Sequence, residues 1–401
     1  MQYRTDKKSG NKLSVLGYGC MRFPGILGSI DMRKTEELVM RAIDGGINYF
    51  DTAWIYPGSE DALGTILEKN KVREKVYIAT KLPLVLIKGS ADFDKYFNQE
   101  LKRLRTGYID YYLMHMITDM AQWAKFKSWG IEEWIAGKKK AGLIRQVGFS
   151  FHGSQGEFLK VLDDYDWDLC LIQYNYSDEN YQAGVTGLRK AAEKMPVMIM
   201  EPLLGGKLAT GLPKAAVEIF KKANPELTPA AWALNWLWNQ GEVTLMLSGM
   251  NDMAQLEENM RLADASNPQM LNQSDLDVYK RVLELINKSY KIHCTGCNYC
   301  MPCPKGVNIP ACFASYNMSY AIGFYPGIQQ FLTSTGLFAQ RSSSPRLCVN
   351  CGKCEKHCPQ QLPIMKHLVQ VRRRLEPLWV RFVGVCARTF MGVKRIESGN
   401  G

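Results

Sequence analysis

Short apolar runs alternate with longer stretches of helical spacing along the first 290 residues of the chain. The runs at Ser14–Cys20, Asn48–Thr52, Lys75–Thr80, Ile109–His115, Arg145–Ser150, Leu169–Tyr174, Val197–Glu201 and Val243–Ser248 read as strands. Several are apolar at nearly every position, as in Val76-Tyr77-Ile78-Ala79 and Val197-Met198-Ile199-Met200. Strands covered on both faces in a parallel sheet have this pattern. Between them lie helical patterns, for example Leu38, Val39, Ala42 and Ile43 ahead of Gly45-Gly46. Eight such alternations predict a (β/α)8 TIM barrel. No Gly-x-Gly-x-x-Gly loop follows the first strand, which argues against a doubly wound dinucleotide fold.

Past residue 290 the rhythm breaks into two cysteine-rich segments, with helical character between them. No charge occurs between Lys305 and Arg341, which reads as buried or interfacial protein. A basic helix end, Leu368–Arg374, and an apolar-basic tail, Leu378–Val393, follow. The 401 residues suit a barrel of roughly 250 residues with an appendage. Charge marks the same division. Residues 288–401 hold 15 Lys+Arg against 3 Asp+Glu, or +12, and residues 1–287 hold 35 against 36, or −1, giving the net +11. The expected organisation is a barrel over 1–287, a small mainly helical domain over 288–375 and a tail over 376–401. In the tail, Leu378, Trp379, Phe382, Val383, Cys386 and Phe390 fall on one side and Arg381 and Arg388 on another. Packing on its own domain is the preferred reading over lying on a membrane. The polar start, Met1 to Lys8, has no apolar leader, and no run approaches the roughly 18 apolar residues of a spanning helix. A cytoplasmic protein with no transmembrane segment is expected.

Eight of the twelve cysteines sit in two tight groups, leaving Cys20, Cys170, Cys312 and Cys386, which favours metal ligation in a reducing compartment over disulfides. The groups are Cys294-Thr-Gly-Cys297-Asn-Tyr-Cys300-Met-Pro-Cys303 and Cys348-Val-Asn-Cys351-Gly-Lys-Cys354-Glu-Lys-His-Cys358-Pro. The second resembles the bacterial ferredoxin motif; the first is one residue shorter before its last cysteine. The long spacer is similar to helical ferredoxin domains of respiratory-type enzymes. The resemblance implies two [4Fe–4S] clusters for electron transfer, with the fourth cysteine of each motif serving the other cluster. One cluster then takes Cys294, Cys297, Cys300 and Cys358, and the other takes Cys303, Cys348, Cys351 and Cys354. A pair of four-cysteine zinc sites is the competing reading, and a run of four cysteines closed by Pro304 or Pro359 favours the clusters. Thiolate-ligated clusters are anionic, so the basic surplus has a local use, and it suits an acidic redox partner such as ferredoxin or flavodoxin.

Barrel active sites lie at the C-terminal ends of the strands. Those ends supply Asp51 and Tyr56 after the second strand, Lys81 after the third and His115 at the fourth. A phenol becomes a useful proton donor near neutral pH when a cation lowers its pKa. Lys81 can do this, Asp51 can neutralise Lys81, and His115 can orient a carbonyl oxygen beside Tyr56. These residues resemble the tetrad of the aldo-keto reductases, as do Leu16-Gly17-Tyr18-Gly19, Gly45-Gly46-Ile47-Asn48-Tyr49-Phe50-Asp51, Ser59-Glu60 and Leu63-Gly64. The likeness spans roughly residues 1–265. It implies an oxidoreductase acting on a small carbonyl or alcohol substrate with NAD(P)(H). Tyr56 would be general acid–base, Lys81 its pKa partner, Asp51 the support of Lys81 and His115 the substrate-orienting group. Ser150 and Gln173 match contacts to the nicotinamide carboxamide, and Asn259 matches an adenine contact.

The sequence departs from the family at Ile199–Leu203, which lacks the aromatic that stacks on nicotinamide, and at Gly249 and Gln255, where basic residues usually hold the 2′-phosphate. The phosphate site is therefore incomplete, although Gly205-Gly206-Lys207 offers a pyrophosphate contact. NADH, NADPH and a flavin stay open. Two alternatives accompany the main expectation: a ferredoxin-fed redox enzyme that does not use NAD(P)H, and a non-catalytic redox-sensing or binding barrel. No nucleic-acid partner is expected.

Overall fold

The computed structural model describes the chain apart from residues 27–28, 289, 295, 297–299, 337–341, 359 and 392–401, and apart from the side chains of 26 and 387–391. All eight runs form strands: β1 (Leu16–Gly19), β2 (Tyr49–Asp51), β3 (Tyr77–Leu82), β4 (Ile109–Ile117), β5 (Ile144–Phe151), β6 (Leu169–Gln173), β7 (Val197–Met200) and β8 (Val243–Ser248). They close into a barrel in the order β6-β7-β8-β1-β2-β3-β4-β5, with every neighbouring pair parallel. Alternate side chains explain the apolar runs. Tyr49, Ala79, Tyr111, Leu113, Leu171, Met198 and Leu245 fill the interior. Phe50, Ile78, Tyr112, Met114 and Phe149 pack outward against the helices. Leu13, from the hairpin Tyr3–Thr5/Lys12–Ser14, joins the interior group.

Helix α1 (Ser59–Lys69) follows β2, and helix α2 (Ala91–Leu104) follows β3. They meet backbone to backbone at Gly64, where a Cβ would stand 2.3 Å from the Arg103 carbonyl oxygen and 2.6 Å from the Leu104 carbonyl carbon.

The C-terminal region is mainly helical, with α3 (Ile309–Ala321), α4 (Phe324–Thr335), α5 (Ile364–Leu375) and α6 (Leu378–Met391). It has its own core of Ile292, Val307, Ile309, Phe313, Phe331, Leu368 and Val371. Cys294, Cys300, Cys303, Cys348, Cys354 and Cys358 all pack against that core. The charge-free run forms α3 and α4, and it meets the barrel. Met318 of α3 enters a cluster with Tyr176, Phe220, Trp232 and Tyr279. The Tyr181 hydroxyl, in the loop after β6, donates to the Ser334 hydroxyl of α4. Buried Asn317 accepts from the backbone N–H of Lys291 and Ile292 and donates to the Ile292 carbonyl at 2.6 Å. It thereby fixes the chain entering the first cysteine segment.

Helix α6 departs from the expected packing. Val380 and Gly384 are buried, whereas Leu378, Trp379, Phe382 and Val383 face solvent. The helix rests on its domain by a narrow side and leaves the wider apolar side bare. Among the described residues no helix is long and apolar enough to cross a membrane.

Helix propensity favours Ala over Gly by about 1 kcal/mol, but a Cβ at Gly64 collides with backbone that cannot rotate away. Gly64→Ala is therefore expected to destabilise the protein by about 2 kcal/mol, measured as the shift in its denaturant-unfolding midpoint.

Candidate functional site

Asp51 closes β2 opposite Ala79 of β3, and Lys81, two residues further along β3, faces the same way and reaches back to it. Both are buried, and the Lys81 Nζ donates to Asp51 Oδ1 at 2.6 Å and to the Thr52 carbonyl at 2.7 Å. Burial works against the ammonium, but Asp51 and Tyr56 outweigh it and hold the Lys81 pKa above that of an ordinary lysine. Neighbouring bonds keep the strands in this register. Thr80 donates to Glu60 at 2.6 Å, and Arg103 pairs with the other Glu60 oxygen at 3.1 Å. Ser59 donates to the Cys20 carbonyl and also meets the Thr52 hydroxyl. The start of α1, and with it the turn carrying Tyr56, is tied to β1, β2 and β3 together.

Tyr56 places its ring 5.1 Å from the Lys81 Nζ and meets the His115 imidazole edge-on, with centroids 6.0 Å apart. Burial raises the Tyr56 pKa and the Lys81 charge opposes it, with burial the larger effect. The simple expectation of a lowered phenol is thus modified: Lys81 offsets part of a burial cost. His115 sits where β4 loses register with β5 between Met114 and Ile117, and Met116 adopts φ 62°. That left-handed residue is held by its N–H, which donates to the Ser150 hydroxyl at 2.8 Å. Burial, the Lys81 charge and His152 keep His115 well below the ordinary imidazole range, so it is neutral at physiological pH. A neutral imidazole beside a phenol and a buried ammonium can orient a carbonyl and pass a proton to its oxygen.

The three candidate cofactor contacts line neighbouring strand ends and the helix after β8. Ser150 accepts from Met116, which leaves its hydroxyl proton for a further acceptor. Gln173 accepts from Gln182 at 3.0 Å, and Asn259 donates to Ser248 at 3.1 Å. His152 Nδ1 and Gln182 Oε1 are both buried, and burial, the larger effect, lowers the His152 pKa to about 4 while neighbouring Gln182 raises it. Glu201, in the Ile199–Leu203 stretch that lacks an aromatic, acts on Tyr56 electrostatically.

One residue escaped the sequence reading. The stem of Arg22, in the loop after β1, lies along Gly249, where a Cβ would stand 3.1 Å from Arg22 Cδ. Its Nη2 would be 3.1 Å from a Cβ at Gly205. An exposed guanidinium thus lies between the turns after β7 and β8, and it has no ion pair among the described residues. The two glycines were the available signal, since each makes room for it.

Cys303, Cys348, Cys351 and Cys354 line one small cavity, walled otherwise mainly by Ile309, Val349, Met365 and Leu368. Burial raises the Cys354 thiol, and Cys348 and Cys303 add to this. Four thiols around an apolar hollow fit a [4Fe–4S] cluster, one thiolate to each iron. Among the described residues no three His, Cys, Asp or Glu side chains gather as they would around a single metal ion. In the other proposed set, Cys294, Cys300 and Cys358 pack on the same core, and Cys297 lies outside the described residues. Gly296 packs against Asn180 of the barrel loop, where a Cβ would lie 3.2 Å from the Asn180 Cβ.

Comparison with known proteins follows this division. The model described as "Aldo/keto reductase family" matches residues 15–274, and that of a "4Fe-4S dicluster domain" matches residues 293–362. The chain is 25% identical to the L-glyceraldehyde 3-phosphate reductase of Escherichia coli over 309 residues, covering 65% of this chain and 87% of that one. It is 22% identical to the aldo-keto reductase yakc [NADP(+)] of Schizosaccharomyces pombe, covering 66% and 90%. Among solved structures, the holo form of aldo-keto reductase AKR11C1 from Bacillus halodurans superimposes with a TM-score of 0.59 at 22% identity, covering 70% of this chain and 96% of that one. None of these relatives supports a flavin.

Lys81→Met leaves the Asp51 carboxylate buried without its cation and is expected to cost about 3–5 kcal/mol. Pairing it with Asp51→Asn should return a large part of that loss, so urea unfolding of both single variants and the double variant gives a strongly non-additive cycle.

Proposed function

Since the chain belongs to the aldo-keto reductase family and carries a 4Fe–4S dicluster domain after its barrel, we propose that this oxidoreductase interconverts a small carbonyl and its alcohol with a nicotinamide cofactor. The observation that carries the reading is the buried Lys81 ammonium, bonded to Asp51 and set beside a Tyr56 that meets His115 edge-on. Tyr56 exchanges the proton at the substrate oxygen, Lys81 supports the phenolate that results, and Asp51 keeps Lys81 charged. His115, neutral, donates a hydrogen bond that aims the carbonyl.

Ser150 and Gln173 hold the carboxamide and Asn259 the adenine. Arg22, with the Gly205-Gly206 turn, provides the phosphate contacts that Gly249 and Gln255 cannot. A small hydroxyaldehyde, suggested by the name of the Escherichia coli relative, is the first substrate to try.

Cys303, Cys348, Cys351 and Cys354 hold one cluster, and Cys294, Cys297, Cys300 and Cys358 hold the other. When bound, the nicotinamide supplies or accepts a hydride and the clusters supply one-electron capacity. An acidic carrier, ferredoxin or flavodoxin, suits the basic C-terminal region, and the cytoplasm suits its thiols.

The test begins with anaerobically purified protein. NADH or NADPH should bind, and an aldehyde should then be reduced. Tyr56→Phe should lower turnover by about 100- to 10,000-fold while nucleotide affinity holds. Unchanged turnover would remove Tyr56 from the chemistry, and binding of neither nucleotide would favour a ferredoxin-fed enzyme.

Cys303→Ser should lower iron and acid-labile sulfide to about half, because the two motifs share their fourth ligands across the clusters. Loss of the Cys294 set instead would reverse the assignment.

A further inference from the structure

Twelve large apolar side chains are exposed among the described residues, and five of them occur within eight positions of α6: Leu378, Trp379, Phe382, Val383 and Val385. Their exposures run from 51% to 78%. Spacings of one, three and four residues gather Leu378, Trp379, Phe382 and Val383 on one side of the helix. Val380 and Gly384, four apart, form the side that rests on the domain. The exposed apolar residues thus form a stripe along the side of the helix turned away from the domain.

The charge around it has one sign. Residues 288–401 contain 15 Lys+Arg and only 3 Asp+Glu. Two of those acids are already engaged: Glu376 by Ser344 and Arg346, and Glu355 by the Met365 N–H. Arg374 is also taken, bonded to Ser319 and stacked 3.8 Å from the Tyr320 ring centroid. Arg372 and Arg373 at the end of α5, and Arg381 within α6, are exposed and have no carboxylate partner among the described residues.

We infer that α6 is an interfacial anchor that lays its Leu378–Trp379–Phe382–Val383 face on an anionic lipid bilayer. A helix bearing Trp, Phe and Leu on one side, with arginines beside it, binds in the plane of the headgroups through apolar burial and attraction to anionic lipid. At 14 residues α6 is too short to span a bilayer, so it lies on the surface. A second copy of the chain is a poor occupant, because it would bring the same positive charge to the contact. One helix face two turns long also falls short of the roughly 800 Å² per partner that a stable protein interface buries.

The test uses the full-length, cluster-containing protein sedimented with vesicles of phosphatidylcholine, alone or mixed with phosphatidylglycerol. Capture by the anionic vesicles should be at least about tenfold tighter than by the neutral ones, and 0.5 M salt should weaken it about as much. Trp379→Ser combined with Phe382→Ser should abolish capture and leave cluster absorbance and carbonyl reduction as they were, since both side chains face solvent. Arg372→Gln with Arg373→Gln should erode only the preference for anionic lipid. Failure of the wild type to sediment with anionic vesicles overturns the anchor, as does equal capture of the serine variant. A concentration-dependent dimer lost in that variant would instead assign the face to a second copy.

Discussion

A buried ammonium is stable only where counter-charge and hydrogen bonds make good what water would have supplied, a requirement of several kcal/mol. Lys81 meets it with the Asp51 carboxylate and the Thr52 carbonyl. The pair then governs its surroundings. β2 must end at Asp51 in register with β3, and the Tyr56 turn must begin close by. Thr80, Glu60, Arg103 and Ser59 enforce this by tying α1 to three strands. Buried Glu60 thus serves the site without touching it.

Much of this was legible locally. Each barrel strand shows as an apolar run, and Asp51, Lys81 and His115 stand at the ends of their runs, where a parallel barrel gathers its strand termini. The cysteine spacings were equally local. What could not be read depended on residues far apart in the chain. Arg22 has meaning only beside Gly205 and Gly249. The irregularity of β4 at His115 is accompanied by a bond between Met116 and Ser150 on another strand. The balance at Tyr56 was half legible: the cation can be named from sequence, but the opposing burial is a property of the assembled barrel.

The tail shows the same limit from another side. The periodicity of α6 identifies an amphipathic helix, yet it does not say which side meets the protein. The domain has room only for Val380 and Gly384, a narrow seat, so the broader stripe is left outward. The charge-free run behaves oppositely. Its two helices spend their apolar and small polar side chains on an interface, with Met318 among barrel aromatics and Ser334 bonded to Tyr181.

That interface bears on how the two halves of the protein work together. Asn180, Tyr181 and Gln182 are consecutive in the loop after β6. The first touches Gly296 between the cysteines of the leading motif, the second bonds to α4, and the third donates to Gln173 at the end of β6. Close-packed contacts transmit displacement instead of absorbing it. Gly296 and Gln173 are therefore linked through three consecutive loop residues. The loop after β6 is thus the segment shared by the small domain and the strand end that carries Gln173.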